Sequence, residues 1–145
     1  MSDELVLAYV AGFFDGEGCV CVRKAKPMNS NQNIRYSLLV TITNTDLEVL
    51  EYIQSVLGGV LTKRSWYFGA KKQCYNLYWT SNKGKIMLEK LLPYLWTKKK
   101  DAELGIEFQK TVNTAGKCGN QYSKLDSCEL DIREIMYQAS KLLKT

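Results

Sequence analysis

The segment LVLAYVAGFF, Leu5 to Phe14, carries no charge and runs directly into Asp15-Gly16-Glu17-Gly18. Its residues fall into two helical stripes: Leu5, Ala8, Tyr9 and Gly12 in one, Val6, Val10 and Phe13 in the other. The spacing predicts a helix from about Asp3 to Phe14, capped by Ser2 or Asp3, with Glu4 suiting its positive end. A helix apolar around its whole circumference is expected to be buried on all sides. In a chain of 145 residues, that asks for a sheet against one face and a second helix against the other. Two acids at the end of such a helix then need a reason to be there.

The rest of the chain alternates strand pairs with helices. In CVCVRKAK, Val20 and Val22 share one face, and Cys19, Cys21 and Arg23 the other. A polar loop, Pro27 to Asn33, leads to RYSLLVTITN, where Leu38, Val40 and Ile42 oppose Arg35, Ser37, Leu39 and Thr41. These two strands are expected to form an antiparallel hairpin. Thr45-Asp46-Leu47-Glu48 reads as a capping box for a helix that buries Leu47, Leu50, Ile53 and Leu57 and stops at Gly58-Gly59. A second hairpin, VLTKRSWY and QCYNLYWT, turns around Phe68–Lys72.

A further helix, capped by Ser81 or Asn82, carries Ile86, Leu88, Leu91 and Leu92 and ends at Pro93. Lys98-Lys99-Lys100 precedes a helix with Leu104, Phe108 and Val112. A polar loop, Asn113 to Lys124, separates a last helix with Asp126 and Glu129 at its start. Ile132, Ile135, Met136, Ala139, Leu142 and Leu143 are expected on its inner face. The order α-β-β-α-β-β-α-α-α predicts one α+β domain over residues 1–145, with an antiparallel sheet covered by helices on one face. Residues from about 113 to 145 form a C-terminal helical extension.

Composition narrows the chemistry. There is no histidine, which removes Ser-His-Asp and Cys-His nucleophile systems and every histidine-based acid, base or metal site. Catalysis would have to rest on carboxylates, lysines, metal ions and bound water. Cys19, Cys21, Cys74, Cys118 and Cys128 are odd in number and lack framework spacing, so they read as free thiols in a reducing, intracellular compartment. Cys19 and Cys21 have no second close pair to complete a structural zinc site. No apolar run is long enough to span a bilayer, and Asp3 and Glu4 stand where a secretory signal needs positive charge.

The uncovered sheet face carries Arg23, Arg35, Ser37 and Thr41, joined on the second hairpin by Thr62, Arg64, Asn76 and Tyr78, with Lys72 in the loop. One reading is a solvated antiparallel face. The other is a β-ribbon laid in a DNA major groove, where arginine, asparagine and threonine reach base edges. The net charge of +5 is compatible with both.

Val10-Ala11-Gly12-Phe13-Phe14-Asp15-Gly16-Glu17-Gly18 resembles the LAGLIDADG motif of homing endonucleases. Seven of the nine positions match in kind, while Phe13 and Phe14 stand where the family has aliphatics. The flanking αββαββα order, with its saddle-shaped sheet, is also the family's, so the resemblance extends from about residue 3 to residue 112. The motif occurs once, and single-motif members act as homodimers. The resemblance thus implies a dimer seam at Ala8, Ala11, Gly12 and Asp15, where small residues let two first helices approach across a two-fold axis.

It further implies a double-strand DNA endonuclease dependent on Mg²⁺, with Mn²⁺ as a substitute. Glu17 matches the terminal acid and is the implied metal ligand, with the Gly16 carbonyl beside it. Asp15 matches the other acid, expected to orient structure at the helix end. Asn44 takes the place of a polar residue that holds water near the metal, and it suits a helix-entry cap equally well. Lys98 best matches a lysine near the scissile phosphate, with Lys99 and Lys100 close behind; a solvated charge run is the alternative. Glu48 stands where some relatives carry a basic residue near the DNA. Two other functions fit the same scaffold: an RNA maturase binding intron RNA, and a DNA-binding protein without catalysis.

Overall fold

Ser2 caps the first helix by accepting from the Leu5 amide, and that helix, α1, runs over Asp3–Glu17. In the computed structural model, residues 2–26, 34–64, 71–115 and 127–144 are described. The two stripes of α1 separate in part, since Val6 and Phe13 are only half-buried. Val10, Ala11 and Phe14 are buried in the core of the chain, while Leu5, Ala8, Tyr9 and Gly12 are exposed. Tyr52 packs edge-on to Tyr9 with ring centroids 6.3 Å apart, yet among the described residues the stripe stays exposed, so burial on every side is not reached within one chain. The helix also continues three residues past Phe14. Asp15, Gly16 and Glu17 therefore form its last turn rather than the connection after it.

Gly18 leaves the helix in an ordinary extended conformation, φ −84° and ψ 164°, and begins β1 (Gly18–Ala25). A Cβ on Gly18 would lie 2.2 Å from Cδ2 of Phe14. Closeness of the buried ring, and not an unusual backbone angle, is what requires glycine here. β1 pairs antiparallel with β2 (Arg35–Asn44). After α2 (Leu47–Leu57), β3 (Val60–Lys63) and β4 (Tyr75–Thr80) form the second hairpin. The sheet order is β1-β2-β4-β3, every pair antiparallel.

Alternation decides which face is covered. Val20, Val22, Leu38, Val40, Ile42, Leu77 and Trp79 are all buried, and α3 (Ser81–Leu91) and α4 (Lys99–Ala115) lie against them. Two glycines let these helices approach: a Cβ on Gly84 would meet Val40 at 3.2 Å, and one on Gly105 would meet Val20 at 2.9 Å. Helix α5 (Ser127–Leu142) packs on α4, β1 and β2. Among the described residues, no helix is long and apolar enough to cross a membrane.

Several local expectations are corrected. The cap of α2 is Asp46, which accepts from Val49 N, rather than Thr45. The residue at the N-cap of α3 is Thr80, without a side-chain hydrogen bond, rather than Ser81 or Asn82. Ile86 is exposed; Leu88 and Leu91 face the core as expected, joined by Gly84 and Met87. Asn113 and Thr114 belong to α4 and not to a loop. On α5, Ile132, Ile135, Leu142 and Leu143 are exposed, while Arg133 and Ser140 are buried and Leu130, Met136 and Tyr137 pack on the core. Hydrophobicity alone mislocates that helix because its inner face meets a polar sheet edge (Lys24 and Tyr36) through Glu134. The loop Pro27–Asn33, most of the turn at Phe68–Lys72, most of the Asn113–Lys124 stretch and Asp126 lie outside the described residues.

Candidate active site

The last turn of α1 is tied to the chain 80 residues later through Asp15. Its Oδ2 accepts from the Trp96 amide at 2.9 Å and its Oδ1 from the Lys98 amide at 3.0 Å. Lys98 then returns its side chain, with Nζ donating to the Asp15 carbonyl oxygen at 3.0 Å. One carboxylate thus holds the 96–98 segment, and the lysine ammonium ends on the negative end of the helix. The short helical turn Leu92–Tyr94 brings that segment back against α1. Asp15 was expected both to orient the helix end and to lie in a dimer seam. Its carboxylate oxygens are engaged inside the chain, which fits the first role.

Glu17 lies two residues beyond Asp15, on another side of the helix, and is exposed. Gly16 is exposed too, and a Cβ there would meet nothing within 4 Å. An exposed carboxylate beside an exposed Gly16 at a helix C-terminus, where the Lys98 ammonium already docks, lies in a field that favours cations, and carboxylate and carbonyl oxygens are hard donors. They suit a magnesium ion that keeps several waters. Among the described residues no group of three acidic or cysteine side chains could hold a metal.

Asn44 ends β2, and its Oδ1 accepts from the Asp46 amide at 2.8 Å. Asn44 thus braces the capping residue without being the cap of α2, leaving its Nδ2 group as the part able to meet a water. Of the exposed-stripe residues, Ala8 and Gly12 face outward as the resemblance implies. Ala11 does not: it is fully buried in its own chain's core, because it falls on the stripe of Val10 and Phe14. It is withdrawn from the candidate seam.

On the uncovered sheet face, register places Arg23 beside Ser37 and Cys19 beside Thr41, Thr41 beside Tyr78 and Thr43 beside Asn76, and Asn76 beside Thr62. Arg35 follows two residues before Ser37 on the same face, opposite Ala25. Arg64 continues the alternation of Thr62, its amide donating to the Cys74 carbonyl. The residues named from the sequence for this face therefore share it, and the fourth-strand register is settled with Leu77 and Trp79 inward. Lys72 is exposed just before β4. Thr43 was missed; its hydroxyl donates to Asn76 Oδ1 at 2.8 Å and fixes that amide. Strand alternation alone would have found it, two residues after Thr41.

A family model described as LAGLIDADG endonuclease matches residues 10–112. The chain belongs to the LAGLIDADG endonuclease family. The DNA endonuclease I-CvuI of Chlorella vulgaris is 34% identical over 111 residues, which cover 74% of this chain and 66% of that protein. The chain thus spans just under two thirds of that curated relative's length. Among solved structures, I-CvuI in complex with its target in the presence of 2 mM Ca superposes with a TM-score of 0.79 at 24% identity, covering 97% of this chain and 83% of that one. The archaeal intron-encoded homing endonuclease I-Vdi141I, complexed with DNA, gives 0.77 at 18% identity, covering 98% and 86%. The α+β fold with a four-stranded antiparallel sheet is that of these LAGLIDADG homing endonucleases.

Within the family frame, the match begins at Val10 and so takes in the whole of the last turn of α1. It ends at Val112, before α5. Lys98 and the sheet face fall inside it, as do Lys24 and Tyr36, while Glu134 falls outside.

Proposed function

We propose that the protein is a site-specific homing endonuclease that cuts both strands of a long DNA target as a homodimer, with Mg²⁺ as cofactor. The observation that carries this is the last turn of α1. It presents Glu17 outward beside an apolar, uncovered helix stripe, with Lys98 docked on the same turn by Asp15. Leu5 and Tyr9 are 61% and 51% exposed and, with the small Ala8 and Gly12, make a stripe that suits a second helix. Closing that stripe on a second copy brings two Glu17 side chains toward one axis.

In this reading each chain does a defined set of tasks. Arg23, Arg35, Ser37, Thr41, Thr62, Arg64, Lys72 and Asn76 bind the duplex, the arginines and polar groups reading base edges and Lys72 fixing the phosphate backbone. Glu17 and the Gly16 carbonyl would hold Mg²⁺, which would supply Lewis acidity toward water and the phosphodiester. Lys98 supplies positive charge to the phosphate being cut, its position set by Asp15. Asn44, its carbonyl oxygen already used by Asp46, orients water through its amide hydrogens. The chain holds no histidine, so no imidazole competes for that role.

The test is cleavage of a randomised or genomic DNA library with Mg²⁺, followed by Glu17→Gln. The expected result is one long, partly palindromic site, cut by the wild type and only bound by the variant. A Glu17→Gln protein that cuts at the wild-type rate removes Glu17 from the metal site. Binding to intron RNA with no DNA cleavage, measured over a salt series, returns the maturase reading instead.

A further inference from the structure

Helix α5 meets the sheet through one carboxylate. Glu134 Oε2 accepts from the Tyr36 hydroxyl and pairs with Lys24 Nζ at 2.9 Å. Its Oε1 accepts from Gln138 Nε2 at 3.0 Å. Lys24 and Tyr36 are register partners on β1 and β2, so one side chain of α5 grips both strands of the hairpin. Tyr137, one turn along, packs edge-on to Tyr36 with ring centroids 6.2 Å apart. Lys24 Nζ stands 5.8 Å from the Tyr36 ring and 5.5 Å from the Tyr137 ring, within reach of both π faces.

The place of this cluster matters more than its strength. Helix α4 backs the hairpin at Gly105, against Val20 and Leu38. Lys24 lies four residues beyond Val20, roughly 13 Å further toward the hairpin end at ~3.3 Å per residue. Arg23, Ser37 and Arg35 sit next to Lys24 and Tyr36 along the strands and point to the opposite face. An arm of that length pivoting on α4 by about 5° moves its end by about 1 Å, more than the ~0.5 Å range of a good hydrogen bond. Lys24 and Glu134 side chains are each 33% exposed, so the pair contributes little to stability.

We propose that Glu134 is a positioning residue for DNA recognition: by clamping Lys24 and Tyr36 from behind, it sets the angle at which Arg23, Ser37 and Arg35 meet the target. This rests on the endonuclease reading above. Base discrimination under this arm then depends on a residue that touches no DNA.

The experiment profiles library cleavage by the full-length wild type, Arg23→Ala and Arg35→Ala to define the base pairs under the arm. It then profiles Glu134→Gln and the swapped pair Lys24→Glu with Glu134→Lys. In Glu134→Gln, KM is expected to rise about 5–10-fold with kcat within twofold of wild type. Discrimination should fall several-fold at those base pairs and hold elsewhere, and the swapped pair should recover at least half of it. A Glu134→Gln profile equal to wild type, or a loss spread evenly over all positions and carried by kcat, overturns the proposal. Should Glu134→Gln fail to fold, the swapped pair decides: a folded swap without arm discrimination overturns it. A wild type that cuts no DNA overturns the endonuclease reading itself, whereas normal wild-type cutting with an unchanged variant overturns only this inference.

Discussion

Replacing Gly18 by alanine tests how the motif is built. The backbone there, φ −84° and ψ 164°, accepts any residue, so the effect is purely steric. The new Cβ would lie 2.2, 2.4 and 2.7 Å from three atoms of the Phe14 ring. Ordinary contact begins near 3.4 Å, so the ring must retreat by about 1.2 Å. It has nowhere to go, because Phe14 is fully buried in a close-packed core. Overpacking of this kind costs ~1–3 kcal/mol, and outright expulsion of a phenyl ring ~3–5 kcal/mol; about 3 kcal/mol is expected. For a chain of this length that lowers Tm by roughly 6–12 °C. Urea unfolding at fixed protein concentration measures it. A smaller residue at 14 makes room for the methyl, so Gly18→Ala with Phe14→Leu should be less destabilised than the sum of the singles by ~1–2 kcal/mol. A Gly18→Ala protein within ~0.5 kcal/mol of wild type, or strictly additive variants, refutes the reasoning.

Gly12→Ala should behave in the opposite way: a Cβ there meets nothing within 4 Å, so mid-helix alanine stabilises the isolated chain by ~0.5–1 kcal/mol. In a dimer closed on this stripe the two added methyls weaken association by on the order of tenfold; equal sedimentation of variant and wild type across a dilution series removes this face from the interface. Asp15→Asn keeps one acceptor for the Trp96 and Lys98 amides but loses the charge, with an expected cost of ~1–2 kcal/mol and a drop in kcat larger than any change in DNA affinity. The Glu134 carboxyl is lowered from 4.5 to about 2, first by its Tyr36 bond and then by its Lys24 and Gln138 bonds. A lowered carboxyl stabilises the fold fully above pH ~4.5 and loses that contribution as pH falls toward 2. Lys24 is raised above 10.5, chiefly by its Glu134 bond, so its contribution is full below pH ~10.5 and fades as pH rises through the raised value. With Tyr36, Tyr137 and Lys141 as the other titratable groups at the cluster, wild type and Glu134→Gln should differ in urea midpoint at pH 6–8 and converge near pH 2.

Most of the sheet was legible in the chain because strand alternation has a period of two and the inward residues at its centre are apolar. Leu38, Val40 and Ile42 could only face a core, and Ser37 and Thr41 followed to the other side. Glu17 stood out for a different reason, as an acid after a long uncharged helix. Helix faces were less legible. The inner side of α5 contains Arg133 and Ser140 and leaves Ile132 and Ile135 outside, since a polar strand end, not an apolar one, is what it meets.

The sequence by itself determined the element order, the buried strand face, the exclusion of histidine chemistry and the two stripes of α1. Each is a local property, set by side-chain type and spacing. Only the tertiary structure decided which stripe of α1 is left uncovered, why Gly18 must be glycine, and what Asp15 holds. Those depend on atoms from segments far apart in the chain. Asp15 meets Lys98 across 83 residues, and Glu134 meets Tyr36 across 98. No periodicity encodes such a meeting; it exists once the helices have closed on the sheet.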